Sequence, residues 1–268
     1  MDPAQRLDIV RLTPEGVAAD ERIIAAEVPV AVSFFGIGYA VMMATPADLH
    51  DFAVGFARSE RLVDDVGQVL EVEERPAEAG IMLSIELAPE RRDLVFERVR
   101  HRIGESSCGL CGIENLEQAL RPLPRVAVPA GGIAKDILFN ALDTIEAHQP
   151  LNSATGAVHA AALFDGSGRL IAIREDVGRH NAFDKLVGHA MRSRVDLASG
   201  FALLTSRCSY ELVEKAALAG IGLLVTVSAP TTLAVERAQE AGLTLIALAR
   251  QDAMLVMTDP HGLYTLEA

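Results

Sequence analysis

The sequence predicts a mixed α/β fold in two parts: a smaller α+β unit over residues 1–121 and an α/β unit over 122–268. Three observations carry this. Beyond residue 130, runs rich in Val, Leu and Ile alternate with helix-patterned segments, the signature of βαβ units around a covered sheet. The first hundred residues instead pair short alternating runs across turn residues, with two helical stretches. Between them, Pro122 to Pro129 holds three prolines and reads as a linker.

Taken in order, residues 1–27 form a polar leader that alternates loosely around Leu7 to Leu12. Val28 to Phe35 and Tyr39 to Met43 are predicted strands, with Gly36-Ile37-Gly38 as the hairpin turn. Thr45 is the expected N-cap of a helix with Pro46 at its first position, running to about Ser59. Leu49, Phe52, Ala53 and Phe56 share one face of it. Gln68 to Glu74 and Gly80 to Leu87 form a second strand pair, punctuated by Pro76 and Gly80. A helix is expected over Pro89 to Arg100 and a short one over Ile113 to Leu120. Beyond the linker, helices are expected at Ile133 to Glu146, Asn181 to Arg192, Ser209 to Ala219 and Thr232 to Glu240. Strands are expected at Val158 to Phe164, Leu170 to Arg174, Phe201 to Thr205, Leu223 to Val227, Thr244 to Ala249 and Met254 to Met257.

The chain has 268 residues, half of them hydrophobic, so a sizeable core is available. No apolar run approaches the roughly 18 residues of a membrane span, and the N-terminus lacks a signal-peptide pattern. The expectation is a cytoplasmic protein with no membrane partner. A formal net charge of −13 argues against nucleic acid as a partner, though not against a local basic pocket. Three cysteines do not make a disulfide framework.

Two of those cysteines lie in Ser107-Cys108-Gly109-Leu110-Cys111-Gly112, just ahead of the helix expected from Ile113. A helix N-terminus favours thiolate over thiol, and the flanking glycines leave the sulfurs uncrowded. A structural zinc site needs four ligands, and no second C-x-x-C or H-x-x-x-H is present, so no metal is expected. A disulfide oxidoreductase would place such a pair at the first strand-to-helix turn of a βαβ fold, not in mid-chain. A thiol or persulfide carrier fits these residues best.

Four polar corners follow predicted strands: Arg174 to Asn181, Thr205 to Ser209, Val227 to Thr232 and Leu248 to Ala253. Strand carboxyl ends are the usual ligand crevice of an open α/β sheet, so the four suggest one shared pocket. Arg179, His180, Arg207 and Arg250 are the groups suited to an anion there. The plainer reading makes Asp176 or Asn181 a helix cap and Cys208 a core residue. His159 lacks the glutamate two residues on that a deaminase zinc site requires, since Ala161 stands there, so hydrolytic deamination is disfavoured.

The chain resembles the FdhD family of sulfur carriers. The likeness rests on Met43-Ala44-Thr45-Pro46-Ala47-Asp48-Leu49, the cysteine motif, Glu175-Asp176-Val177-Gly178-Arg179-His180-Asn181-Ala182-Phe183-Asp184-Lys185, Ser228-Ala229-Pro230-Thr231 and Thr244-Leu245-Ile246. It implies a cytidine-deaminase-like C-terminal domain without deaminase zinc chemistry, and a homodimer. It implies that Cys108 takes sulfur from a cysteine desulfurase as a persulfide, that Cys111 assists or relays, and that the sulfur passes to the molybdenum bis-guanine-dinucleotide cofactor of formate dehydrogenase. The GDP-like part of that cofactor would lie on Leu248, Ala249, Arg250, Gln251, Asp252 and Ala253. The alternative is a cofactor- or nucleotide-binding chaperone without a sulfur relay. Departures from the family pattern include Phe35-Gly36 for Asn-Gly, Glu60-Arg61 for Glu-Gly, Thr205-Ser206-Arg207 for Gly-Arg, Leu248 for Phe and Met257 for Tyr.

Overall fold

A computed structural model describes residues 1–104, 120–129 and 131–264. Its first element is a hairpin of β1 (Ala4–Thr13) and β2 (Gly16–Ala25), where the polar leader was expected. β3 (Val28–Phe34) and β4 (Ile37–Ala44) pair antiparallel, and β5 (Val69–Ala77) pairs with β6 (Gly80–Leu87). A parallel β3–β6 ladder joins these pairs into a four-stranded sheet of order β4-β3-β6-β5. One face of the sheet buries Val30, Val32, Phe34, Leu83 and Ile85 against α1 (Leu49–Ser59) and α2 (Arg92–Gly104). On α1 those contacts are Leu49, Phe52, Ala53 and Phe56, the stripe read from the helical period.

Beyond residue 130 come α3 (Lys135–Ala147), α4 (Pro150–Thr155), β7 (His159–Asp165), β8 (Leu170–Asp176), α5 (Arg179–Arg192), β9 (Gly200–Leu204), α6 (Tyr210–Ala219), β10 (Leu223–Thr226), α7 (Thr232–Ala241), β11 (Thr244–Ala247) and β12 (Leu255–Thr258). The strands form one mixed sheet of order β12-β11-β10-β9-β7-β8, with β9, β10 and β11 parallel. One face packs Leu163, Leu204, Leu224 and Leu245 against α5, α6 and α7. The other packs Phe164, Phe201, Leu203 and Val225 against α3. The near-continuous apolar strands follow from this: a sheet covered on both faces has no solvent side to alternate with.

The stretch after Arg121 has no regular structure but is not a free tether. Val126 is buried, its amide donates to the Ala241 carbonyl at 2.9 Å, and its side chain joins the core under α7.

Helices α1 and α5 lie back to back between the two sheets. They cross at Gly55 and Gly188. A Cβ added at Gly55 would sit 1.8 Å from the Asp184 carbonyl oxygen, and one at Gly188 would sit 1.8 Å from that of Asp51. No side chain fits between these backbones.

Among the boundaries that differ from expectation, the start of α1 has a visible cause. α1 starts at Leu49 with Asp48 as its N-cap residue in the left-handed region (φ 53), and Thr45 does not cap it. The Thr45 hydroxyl is already taken: it accepts from the Val177 amide at 3.1 Å, across the seam. Within the N-terminal unit, two of the departures from the resembled family's pattern fall on left-handed backbone, Phe35 (φ 51) and Arg61 (φ 60). Such backbone costs a side-chain-bearing residue roughly 1–2 kcal/mol. Each side chain finds a partner: the Arg92 guanidinium lies over the Phe35 ring at 5.4 Å, and Arg61 donates to the Pro122 carbonyl at 3.2 Å.

Candidate functional site

Strand pairing places the four polar corners along one edge of the six-stranded sheet. β9, β10 and β11 are parallel, so the residues after each emerge on the same side. β7 runs antiparallel to β9, which brings its first residue, His159, to that side opposite Asp176 at the end of β8. Short bonds tie the corners together. The Thr205 hydroxyl accepts from the Ala160 amide at 2.9 Å, the Val227 amide donates to Leu204, and the Ala249 amide donates to Thr226.

Leu248 to Ala253 is a tight turn on this edge, with the Arg250 amide donating to the Ala253 carbonyl at 2.9 Å. Leu248 holds a left-handed conformation (φ 50) with its side chain partly exposed. Ala249 is buried, while Arg250, Gln251, Asp252 and Ala253 face solvent. The Arg250 guanidinium folds back on the Val227 and Ala249 carbonyls, and Gln251 reaches Asp143 on α3.

The edge is electropositive at its β7–β9 end. His159 is half-buried, and burial pushes its pKa down. Arg179 and Arg207 push it further, against the opposing pull of Asp176. The buried Nε of Arg179 has no hydrogen-bond partner among the described residues. Two arginines beside a neutral imidazole, one with an unused donor, suit an anionic ligand.

Other residues singled out from the sequence do different work. His180 turns toward α6, its Nε2 lying 3.1 Å from Glu211 Oε2 and 3.3 Å from Ser209 Oγ. Burial lowers its pKa, partly offset by Glu211. It lines a cavity of about 390 Å³ shared with Ser59, Asp184 and Lys215, between α1 and α6. Ser209 spends its hydroxyl on Glu211, and Ser206 is buried with its hydroxyl on the Arg207 carbonyl. Cys208 is fully buried, and burial pushes its thiol up to about 12, so it stays protonated and inert. Cys108 and Cys111, and the helix expected from Ile113 apart from Leu120, lie outside the described residues.

Neither Asp176 nor Asn181 caps α5, whose N-cap residue is Gly178 with no side-chain bond. Asp176 instead centres the seam. Its Oδ2 accepts from the Thr45 amide at 3.0 Å and pairs with Lys185 Nζ at 2.6 Å, and its Oδ1 accepts from the Gly178 amide and from Asn181 Nδ2. Lys185 also donates to the Thr45 carbonyl, and Asn181 to that of Met43. Glu175 accepts from the Leu151 and Asn152 amides at the start of α4. Much of the polar motif from Glu175 to Lys185 therefore braces the fold.

Sequence reasoning missed one member of this arrangement. Asp51, buried, binds Arg174 at 2.7 Å and Arg192 at 2.5 Å. His159, singled out from the sequence as a structural or pocket histidine, belongs to the basic edge, where the β7–β8 register puts it.

The FdhD/NarQ family model matches residues 25–264. The chain is 47% identical over 246 residues to a protein of Xanthomonas euvesicatoria named sulfur carrier protein FdhD, covering 92% of this chain and 87% of that one. A Cupriavidus necator protein of the same name is 45% identical, covering 90% and 83%. The crystal structure of a proposed formate dehydrogenase accessory protein from Desulfotalea psychrophila superposes with a TM-score of 0.73, covering 96% of this chain and 98% of that one. At 23% identity, that likeness speaks to the fold alone.

Proposed function

Since this chain belongs to the FdhD/NarQ family, we propose that it is a sulfur carrier in formate dehydrogenase maturation, taking sulfur as a persulfide on Cys108. The observation that carries this is the Cys108-Gly109-Leu110-Cys111 motif in a chain 47% identical to a named sulfur carrier. The third cysteine does not compete for the role, being sealed in the core as a protonated thiol.

The chemistry is a pair of exchanges at sulfur. The Cys108 thiolate attacks the outer sulfur of a cysteine desulfurase persulfide. A Cys108 persulfide forms and the donor thiolate leaves. Cys111 thiolate then attacks the inner sulfur. A Cys108–Cys111 disulfide forms, the outer sulfur leaves as hydrosulfide for the acceptor, and a thiol reductant resets the pair. The acceptor, a substrate in this exchange, is the molybdenum bis-guanine-dinucleotide cofactor. Its GDP-like moiety would occupy the sheet edge, with phosphates near Arg179 and Arg207 and the base against Leu248 to Ala253. The unpartnered Arg179 donor and the lowered pKa of His159 support an anion there. The working form in this reading is a cytoplasmic homodimer.

The test is intact mass after incubation with a cysteine desulfurase and cysteine. The expected result is a gain of one sulfur, removed by reductant and absent in Cys108→Ala. A gain that survives Cys108→Ala overturns the assignment. Titration with GDP checks the edge: Arg179→Ala should weaken binding at least tenfold.

A further inference from the structure

The β1–β2 hairpin is long, solvated on both faces and unexplained by the site above. Ten residue pairs give it a length of about 30 Å at the usual strand rise. It is held near its base, where the Ala26 amide donates to Pro3 and Arg22 donates to the Thr155 carbonyl. Toward the tip, residues 10–19 are all exposed. An isolated two-stranded ribbon is marginal in water without something to pack on. It also lies ahead of residue 25, where the family match begins.

The two faces of the tip are unlike. Val10 pairs with Ala19 and Leu12 with Val17, so these four share one face, and the three larger ones are 68–79% exposed. No formal charge interrupts them. The ion pairs lie elsewhere: Arg11–Asp20 on the opposite face and Arg6–Glu21 nearer the base.

A matching surface lies on the outer face of the four-stranded sheet. Register puts Val41, Ala31 and Met82 in one row across β4, β3 and β6, with Met43 and Pro29 in the next. Val41, Met43 and Met82 are 47–67% exposed, and the Glu73–Arg75 ion pair borders the row on β5. The opposite face of this sheet is filled by α1, while nothing among the described residues covers this one.

We infer that the hairpin tip of one copy packs on this outer sheet face of a second copy, and reciprocally. Both halves of the contact are carried by one chain, so a two-fold pair closes all four patches at once, as an isologous dimer requires. A ribbon laid on a sheet is ordinary face-to-face β packing. In a chain of net charge −13, association needs surfaces free of charge at their centres, and both patches are. This assigns a surface to the homodimer of the reading above and rests on it only for the copy number.

The experiment uses full-length protein in a Cys108→Ala, Cys111→Ala background. A chain carrying Leu12→Cys is mixed with one carrying Met82→Cys and oxidised with copper phenanthroline. The expected product is a disulfide-linked pair of unlike chains, with none when the second chain carries Glu146→Cys on α3. Linkage within a single chain, or equal linkage to both partners, overturns the inference. Sedimentation equilibrium gives the second arm. Leu12→Asp with Val17→Asp, and separately Met82→Asp, should each raise the dimer dissociation constant at least tenfold. A wild-type monomer, or an unchanged constant in both variants, overturns it. Sulfur loading at Cys108 is read by mass in chains that retain both cysteines, so the surface and the sulfur chemistry can fail separately.

Discussion

Helix α5 serves two regions of opposite character. Along the α1 seam its Asn181, Asp184, Lys185 and Gly188 are buried, and the polar ones among them are hydrogen-bonded or ion-paired. At its first residue, on the sheet edge, Arg179 keeps a buried Nε with no partner among the described residues. Polar groups of the same motif thus do two jobs. Those answered from within the protein hold the two sheets together, and the Arg179 donor left unanswered lies where the proposed anion would bind. A polar run in a sequence does not separate these cases, because the difference lies in the partners.

The largest test of this contrast is steric. Gly188→Val would drive a side chain into the Asp51 carbonyl, and should destabilise the fold by more than about 4 kcal/mol in chemical denaturation. A loss below about 1 kcal/mol would mean that the helices part easily and the seam is not rigid.

Next is charge. Lys185→Met leaves Asp176 buried without its cation and should cost about 3–5 kcal/mol. Arg207→Ala, an exposed substitution, and Arg179→Ala, which removes a buried donor that has no partner among the described residues, should by contrast change stability by no more than about 0.5 kcal/mol, while weakening GDP. If Arg179→Ala matched Lys185→Met in stability, edge and seam would be one structural network and the contrast would fall.

A smaller effect is expected from pH. His159, His180 and His189 all have folded pKa values below the ordinary 6.5, chiefly through burial. Between those lowered values and 6.5 the unfolded chain binds more protons, so stability rises with pH across that window. It should be fully present above about 6.5 and decline as pH falls through the window. A thermal midpoint independent of pH from 7 to 5 would contradict the burial of these rings.

The smallest effect is at Cys208. Iodoacetamide at pH 8 should leave it unmodified in the folded protein and label it after denaturation, because its thiol is held near 12. Rapid labelling of the native chain would show that the core around α6 opens.

Much of the fold was legible because its signals are local. The alternation of apolar runs located all the strands beyond residue 130 to within two residues, and the stripe Leu49, Phe52, Ala53 and Phe56 named the buried face of α1. Thr45-Pro46 misled because a threonine before a proline looks like a helix start, whereas its hydroxyl was claimed by an amide 132 positions away. The leader hairpin was missed because both its faces meet solvent, so burial imposes no clean alternation on Leu7 to Leu12.

For the site, sequence named the four corners and their arginines. It did not separate Arg179, on the edge, from its neighbour His180, in a cavity beside α6, because consecutive helical residues point about 100° apart.

By itself, then, the sequence determined the family, the cysteine motif and the kinds of elements, since these depend on residue identity and short-range period. Only the tertiary structure decided which polar groups are spent and which remain open. That follows from pairings such as Thr45 with Val177 and Asp176 with Lys185, and from the backbone approach at Gly55 and Gly188. Hydrogen bonds and close packing are satisfied in space, between residues whose separation along the chain carries no record of the meeting.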